Sequence, residues 1–241
     1  MNLAIVGTGT MGRIVRDMAL QNPGIDKVYN IEPALGERLE DIKEPDVVID
    51  FSHPGALDGI CRYIEERKGR VGAVFATTGY TEEEEEKIRR LAESAPIIKS
   101  SNFSYGINSL KKIVGYAVPL LSDCSDMEII EKHHNQKVDS PSGTALALAK
   151  VCDPLGERER KYGRCGEEKR RNEIGIHSVR GGTIFGEHTV IFAMKDEVIE
   201  IKHTAFSKTI FAKGAIEAAQ WLTGRKPGLY FIEEVFYVNR N

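Results

Sequence analysis

The run Gly7-Thr8-Gly9-Thr10-Met11-Gly12 constrains the fold of this chain more than any other feature. It follows a short apolar stretch, residues 3–6, and opens a helical pattern over 13–21 in which Ile14, Val15, Met18 and Ala19 form one stripe. Between a strand and a helix, each glycine of a G-x-G-x-x-G run has a separate task. The first permits a tight turn, the second lets the backbone approach a pyrophosphate, and the third lets helix and strand pack closely. The helix start then faces phosphate charge with its unpaired amides.

The pattern that follows agrees with this start. Residues 27–31 predict a second strand and 46–51 a buried third, with a helix over 59–67 and a strand over 71–76. Thr81 with Glu84 three residues on predicts a capping box, so the acidic run after it begins a helix. A further strand starts at Pro96. Alternating strands and helices predict a parallel, doubly wound sheet of the Rossmann type, an α/β fold.

From about Tyr105 the character changes. A long helix over 110–121 is followed by strands expected at 127–130, 174–180, 187–193 and 198–203. These suit a second, α+β domain built on an open mixed sheet. Residues 153–172 are charged and contain glycine, which predicts a mobile surface loop. The alanine-rich helix over 209–221 is expected to return to the first domain. The expected division is 1–104 with 209–241 for the dinucleotide, and 105–208 for the substrate.

Glu32 lies 20 residues after Gly12, at the end of the second predicted strand. A carboxylate there can accept hydrogen bonds from the ribose hydroxyls of NAD. Pro33 follows it, with no neighbouring arginine for a 2′-phosphate, so NADH is favoured over NADPH. Arg13 or a lysine from elsewhere remains able to hold that phosphate. Ligands of open α/β sheets bind beyond the carboxyl ends of the strands. The candidate cofactor-binding residues are therefore Gly7, Thr8, Gly9, Thr10, Met11, Gly12, Glu32, Phe51, Ala76, Thr77, Thr78, Ser100, Ser101, Asn102 and Phe103.

The second cluster is Glu131-Lys132-His133-His134-Asn135-Gln136-Lys137-Val138-Asp139-Ser140-Pro141-Ser142-Gly143-Thr144-Ala145. Adjacent residues of a strand point to opposite faces, so His133 and His134 cannot share one. They are expected in a loop just past the strand at 127–130. Histidine passes protons in either direction near neutrality, and Lys137 adds a compact positive charge. Ser142, Gly143 and Thr144 stand at a helix start, where hydroxyls and amides bind carboxylates. A zinc site would need more well-placed ligands, so no metal is expected.

Composition bounds the partners. The net charge of -3 argues against nucleic acid as the main partner. No apolar run approaches the roughly 20 residues that span a bilayer, and the N-terminus lacks a basic leader, so a cytoplasmic protein is expected. Cys61, Cys124, Cys152 and Cys165 are far apart and read as ordinary small residues.

The chain resembles the 4-hydroxy-tetrahydrodipicolinate (dihydrodipicolinate) reductase family end to end. The resemblance rests on residues 7–12, Asp50-Phe51-Ser52, Thr77-Thr78-Gly79, Asn102-Phe103-Ser104 and, above all, the His-His-x-x-Lys-x-Asp-x-Pro-Ser-Gly-Thr string from His133. Arg180-Gly181-Gly182, Gly186-Glu187-His188-Thr189 and Glu200-Ile201-Lys202-His203 extend it. It implies NADH or NADPH as cofactor, a cyclic imine dicarboxylate as substrate, a hinge between the domains and a homotetramer whose oligomerisation the 105–208 domain mediates. It also implies that His133 donates and accepts a proton, that Lys137 donates one, and that His134, Gly143 and Thr144 contact substrate with Ser142 nearby. Ala76 departs from the glycine usual in that family before Thr-Thr. Two alternatives stay open: a reductase of another cyclic imine acid, and a non-enzymatic dinucleotide-sensing protein.

Overall fold

The computed structural model describes residues 1–237, so residues 238–241 of the expected return segment lie outside the described residues. The chain divides into two compact units, Met1–Ser104 with the stretch from Lys208 onward, and Tyr105–Ser207.

The first unit holds β1 (Asn2–Val6), β2 (Lys27–Ile31), β3 (Val47–Asp50), β4 (Gly72–Phe75), β5 (Pro96–Lys99) and, near the end of the chain, β11 (Gly228–Tyr230). They form one parallel sheet in the order β11-β5-β4-β3-β1-β2. Side chains alternate between its two faces. Leu3, Ile5, Val47, Ile49, Val74 and Ile98 pack with residues of α1 (Thr10–Ala19) and α6 (Thr209–Leu222). Ala4, Val6, Val48, Ala73, Phe75 and Ile97 pack with α2 (Leu57–Glu65) and α3 (Glu82–Leu91). Burial on both faces explains why β3 and β4 read as unbroken apolar runs. The capping box forms: Thr81 Oγ1 accepts from Glu84 N at 3.3 Å, and Glu84 Oε2 accepts from Thr81 N at 2.7 Å. The short α7 (Ile232–Tyr237) and β11 were not expected from the sequence.

The second unit is a five-stranded mixed sheet, β10-β9-β6-β8-β7. Its strands are β6 (Asp126–His133), β7 (Glu159–Tyr162), β8 (Glu173–Arg180), β9 (Gly186–Ala193) and β10 (Val198–Ala205). The three at β6, β8 and β7 run parallel; β9 and β10 run antiparallel to their neighbours. Helices α4 (Tyr105–Leu121) and α5 (Gly143–Cys152) bury Ile129, Ile174, Ile176, Val190 and Phe192 in one core.

Two expectations need correction. The segment 153–172 is not all loop: it contains β7, an edge strand paired with β8, whose charged residues suit an edge. The strand expected at 127–130 runs on to His133, because its pairing with β8 continues to Arg180. His133 is thus the last residue of β6 and not a loop residue. Among the described residues no helix is long and apolar enough to cross a membrane.

Candidate active site

In the first unit the parallel order brings the ends of β1, β2, β3, β4 and β5 to one sheet edge. Gly7 is forced by its surroundings: its φ is +106°, and a Cβ there would lie 2.4 Å from the Phe51 carbonyl oxygen. A Cβ on Gly12 would lie 2.0 Å from the Gly7 carbonyl oxygen, so α1 starts pressed against the turn. Gly9 is different. It caps α1 without a side-chain hydrogen bond, is exposed, and has open space where a Cβ would stand. The first-turn amides of α1 are therefore approachable by an anion. This cradle fits a dinucleotide pyrophosphate.

Glu32 folds across this turn. Its Oε2 accepts from Thr8 N at 2.9 Å and from Thr8 Oγ1 at 2.6 Å, and its Oε1 accepts from Ala34 N at 3.3 Å. Those bonds, the Thr8 hydroxyl first, hold its carboxyl below the ordinary value. Beyond Glu32 opens a cavity of about 430 Å³ lined by Pro33, Gly36, Leu39, Ala56 and Ile60, with Arg38 and Arg62 on its wall. Neither arginine adjoins Glu32 in sequence; only the fold brings both to this cavity.

The remaining candidates of the edge divide into framework and surface. Buried Asp50 accepts from Ser52 N (3.0 Å), Ser52 Oγ (2.5 Å) and Tyr80 OH (2.7 Å). Thr77 is buried and its Oγ1 accepts from Ser52 N at 3.0 Å. Phe51 and Phe103 meet edge to face at 6.4 Å, and Ala76 lies in the apolar layer with Phe103. Ser100 and Asn102 bond to each other across the last turn, while Thr78 and Ser101 are exposed.

In the second unit, alternation along β6 sets Glu131 and His133 on its buried face. Glu131 is fully buried and gathers several donors. Arg180 is bidentate on it at 2.7 and 2.8 Å, Ser142 N donates at 3.0 Å, and His133 Nδ1 lies at 2.5 Å. Burial alone would raise its pKa, but the hydrogen bonds from Arg180, Ser178, His133 and Ser142 outweigh that and hold it at about 2. Burial lowers the His133 pKa below its ordinary value; Glu131 opposes this, and the charges of Lys137 and Arg180 reinforce it.

Lys137 is half-buried and pairs with Asp139 at 2.7 Å, whose carbonyl accepts from Arg180 at 2.6 Å. Ser142 is buried. Its Oγ caps α5 by accepting from Ala145 N at 3.2 Å and lies 3.1 Å from His188 Nε2. The His188 and His133 rings meet edge to face at 5.1 Å. Burial, chiefly, lowers the His188 pKa to about 3, so that ring is neutral. Gly143 is exposed and Thr144 half-buried at the start of α5, and His134 is half-buried just beyond β6. The structure thus joins His133, Lys137 and Ser142 through Glu131, Arg180 and Asp139. Sequence reasoning assigned no role to Glu131, Arg180 or His188. A β6 extended to His133 exposes the first, since Glu131 and His133 then share a face.

Comparison with known proteins follows the same division. Residues 1–103 match the family model described as dihydrodipicolinate reductase, N-terminus, and 106–236 match dihydrodipicolinate reductase, C-terminus. A 4-hydroxy-tetrahydrodipicolinate reductase of Exiguobacterium sibiricum is 44% identical over 242 residues, covering 98% of this chain and 96% of its own. One of Caldanaerobacter subterraneus subsp. tengcongensis is 44% identical, covering 94% of each chain. Among solved structures, a dipicolinate-bound dihydrodipicolinate reductase from Paenisporosarcina sp. TG-14 shares the fold. Its TM-score is 0.75 at 23% identity, with 97% of this chain and 98% of the other covered.

Proposed function

The chain belongs to the dihydrodipicolinate reductase family, and on that premise we propose that it reduces 4-hydroxy-tetrahydrodipicolinate to tetrahydrodipicolinate in lysine and diaminopimelate biosynthesis. The first unit binds the nicotinamide dinucleotide and the second binds the cyclic imine dicarboxylate. One observation carries the assignment of the second unit: a histidine able to move protons and a helix start able to hold a carboxylate are tied to the same buried Glu131.

Gly7–Gly12 would hold the pyrophosphate, and the residues at the ends of β3, β4 and β5 the nicotinamide half. When bound, the dihydronicotinamide supplies a hydride to C4 of the conjugated ring, once the 4-hydroxyl has left. The electron pair left on the ring spreads toward its nitrogen. Lys137, a cation, and His133 stabilise that charge and return a proton to the ring. The start of α5 at Gly143 and Thr144, with His134, fixes a substrate carboxylate and so orients the ring. Ser142 acts from behind, since its hydroxyl caps the helix and meets His188.

For the cofactor, Glu32 favours NADH by repelling a 2′-phosphate. Arg38 and Arg62 line the adjoining cavity and supply the positive charge a 2′-phosphate needs. NADPH is therefore accepted as well, with NADH ahead. The protein assembles as a homotetramer through the second unit, whose Val179, Val198 and Ile199 are exposed. Its four free cysteines suit the reducing cytoplasm.

The test is cofactor oxidation by the purified protein, with substrate generated in place from pyruvate and aspartate semialdehyde by the preceding synthase. NADH and NADPH are run in parallel, and light scattering gives the assembly mass. Synthase-dependent oxidation is expected. No oxidation by protein shown to bind either cofactor overturns the proposal in favour of a dinucleotide sensor.

A further inference from the structure

The proton chemistry assigned to His133 depends on which ring nitrogen carries the proton, and the geometry around Glu131 bears on this. Glu131 receives donors on both oxygens: Arg180 and Ser142 N on Oε1, Arg180 and His133 on Oε2. A carboxylate so placed is an acceptor only, so the hydrogen between it and His133 Nδ1 resides on Nδ1. The neutral ring then has a bare Nε2. Beside that nitrogen lies Gly186, where a Cβ would stand only 3.1 Å away. The side facing Glu131 is occupied, and Gly186, lacking a side chain, does not crowd the other.

Arg180 adds a second effect. A lone carboxylate beside an imidazole would favour the charged ring. Here the carboxylate is already paired, through both oxygens, with a guanidinium. It can orient the ring while exerting much less pull on its proton. The charged or titratable groups around His133 come from each neighbouring element: Glu131 on β6, Lys137 on the turn after it, Arg180 on β8 and His188 on β9. Two are cations, one is a neutral ring and one is an anion already matched.

We propose that Glu131, clamped by Arg180, is the positioning residue that holds His133 in its Nδ1–H tautomer and turns Nε2 toward the reacting ring. The inference rests on the reading of His133 as the proton carrier of the reductase. His133 then takes up a proton only at Nε2 and releases it from the same atom, so one nitrogen serves as base and as acid. Glu131 itself touches no substrate and keeps its charge throughout.

The test is ¹⁵N NMR of the full-length protein labelled at histidine, titrated with pH; the His133→Gln spectrum assigns the signals. In the wild type, Nδ1 is expected to stay protonated while Nε2 titrates. In Glu131→Gln, the amide can donate to Nδ1, so the Nε2–H tautomer should appear. There kcat should fall by about 10²–10⁴-fold, the range for loss of a positioned acid or base, with NADH affinity by fluorescence unchanged. In Arg180→Met the unmatched carboxylate should raise the His133 midpoint, whereas Glu131→Gln should lower it. A purely structural role lowers stability in both variants but leaves the neutral ring of Glu131→Gln in its Nδ1–H tautomer.

The proposal is overturned if neutral wild-type His133 carries its proton on Nε2, or if the two variants shift the midpoint in the same direction. Should neither variant fold, the wild-type titration still decides. The readout is independent of turnover: wild-type rates in His133→Gln would sink the reductase assignment of His133 and leave the tautomer result standing.

Discussion

Gly186 stands opposite His133 so closely that a Cβ at position 186 would come within 3.1 Å of His133 Nε2. The start of β9 thus limits how far the ring can shift at the nitrogen assigned to proton transfer. Gly186→Ala should push the ring by a few tenths of an ångström. We expect kcat to fall by roughly tenfold, since misplacement by a full ångström costs about a hundredfold. NADH affinity should not move. Steady-state rates beside fluorescence titration of NADH check both, and an unchanged kcat would mean the ring has room to spare.

His133→Gln removes the titrating ring but keeps a polar side chain. Loss of a positioned acid or base typically costs about 10²–10⁴-fold in rate. We expect a kcat loss in that range with the NADH dissociation constant unchanged. Lys137→Met should also lower kcat, and should raise KM for the dicarboxylate because a cation near the substrate is lost. Measuring kcat and KM separately distinguishes the two residues.

Much of this was legible along the chain, and the reasons are local. The glycine turn, the apolar strands 46–51 and 71–76 and the Thr81–Glu84 box each declare themselves within a few residues. The core of the second site does not. Arg180 meets Glu131 across 49 residues of sequence, and His188 meets Ser142 across 46. Only the pairing of β6 with β8 and β9 brings them together. The strand β7 escaped notice because an edge strand needs no apolar alternation. Arg38 and Arg62 reach one cavity only after the chain beyond Glu32 has turned through two 3-10 segments, Pro33–Leu35 and Leu39–Asp41.

At the cofactor end, Gly12 has no room for a methyl group, since its Cβ would sit 2.0 Å from the Gly7 carbonyl oxygen. Gly12→Ala must displace α1 from the turn. Overpacking of this kind typically costs about 1–3 kcal/mol. We expect a matching drop in unfolding free energy and a loss of NADH affinity of tenfold or more. Gly9→Ala has open space and should leave stability nearly unchanged while weakening dinucleotide binding. Denaturant melts with NADH titrations separate the two glycines.

Cofactor choice offers a third contrast. Removing both cations of the cavity, Arg38→Ala with Arg62→Ala, should weaken NADPH more than NADH. Removing the negative charge, Glu32→Gln, should raise the NADPH/NADH ratio of kcat/KM by roughly tenfold, a change of about 1.4 kcal/mol. The same substitution weakens the acceptor of two Thr8 bonds, so binding of both dinucleotides should loosen somewhat. A ratio unmoved by either change would place the 2′-position away from this cavity.

Acid should unfold this protein by an ordered route. His188 has its pKa lowered from 6.5 to about 3, mainly by burial. An unfolded chain therefore binds this proton at pH 6.5, the folded one not until near pH 3. Above pH 6.5 the ring is neutral in both states and adds no proton-linked term, and the folded state loses stability as pH falls from 6.5 toward 3. The full effect is on the order of 3–5 kcal/mol. His133 and His203, also held below 6.5 mainly by burial, act in the same sense. Glu131 follows later: its carboxyl, held at about 2 against an ordinary 4.5, stabilises the fold above pH 4.5, and that contribution is lost as pH falls through 2. Melting temperature should thus be level from pH 8 to about 6.5 and fall steadily below it. In His188→Asn the plateau should drop, because a buried ring is lost, yet the slope between pH 6.5 and 3 should flatten. A variant with the wild-type slope would show that His188 is charged in the folded protein and that its burial has been offset by another partner.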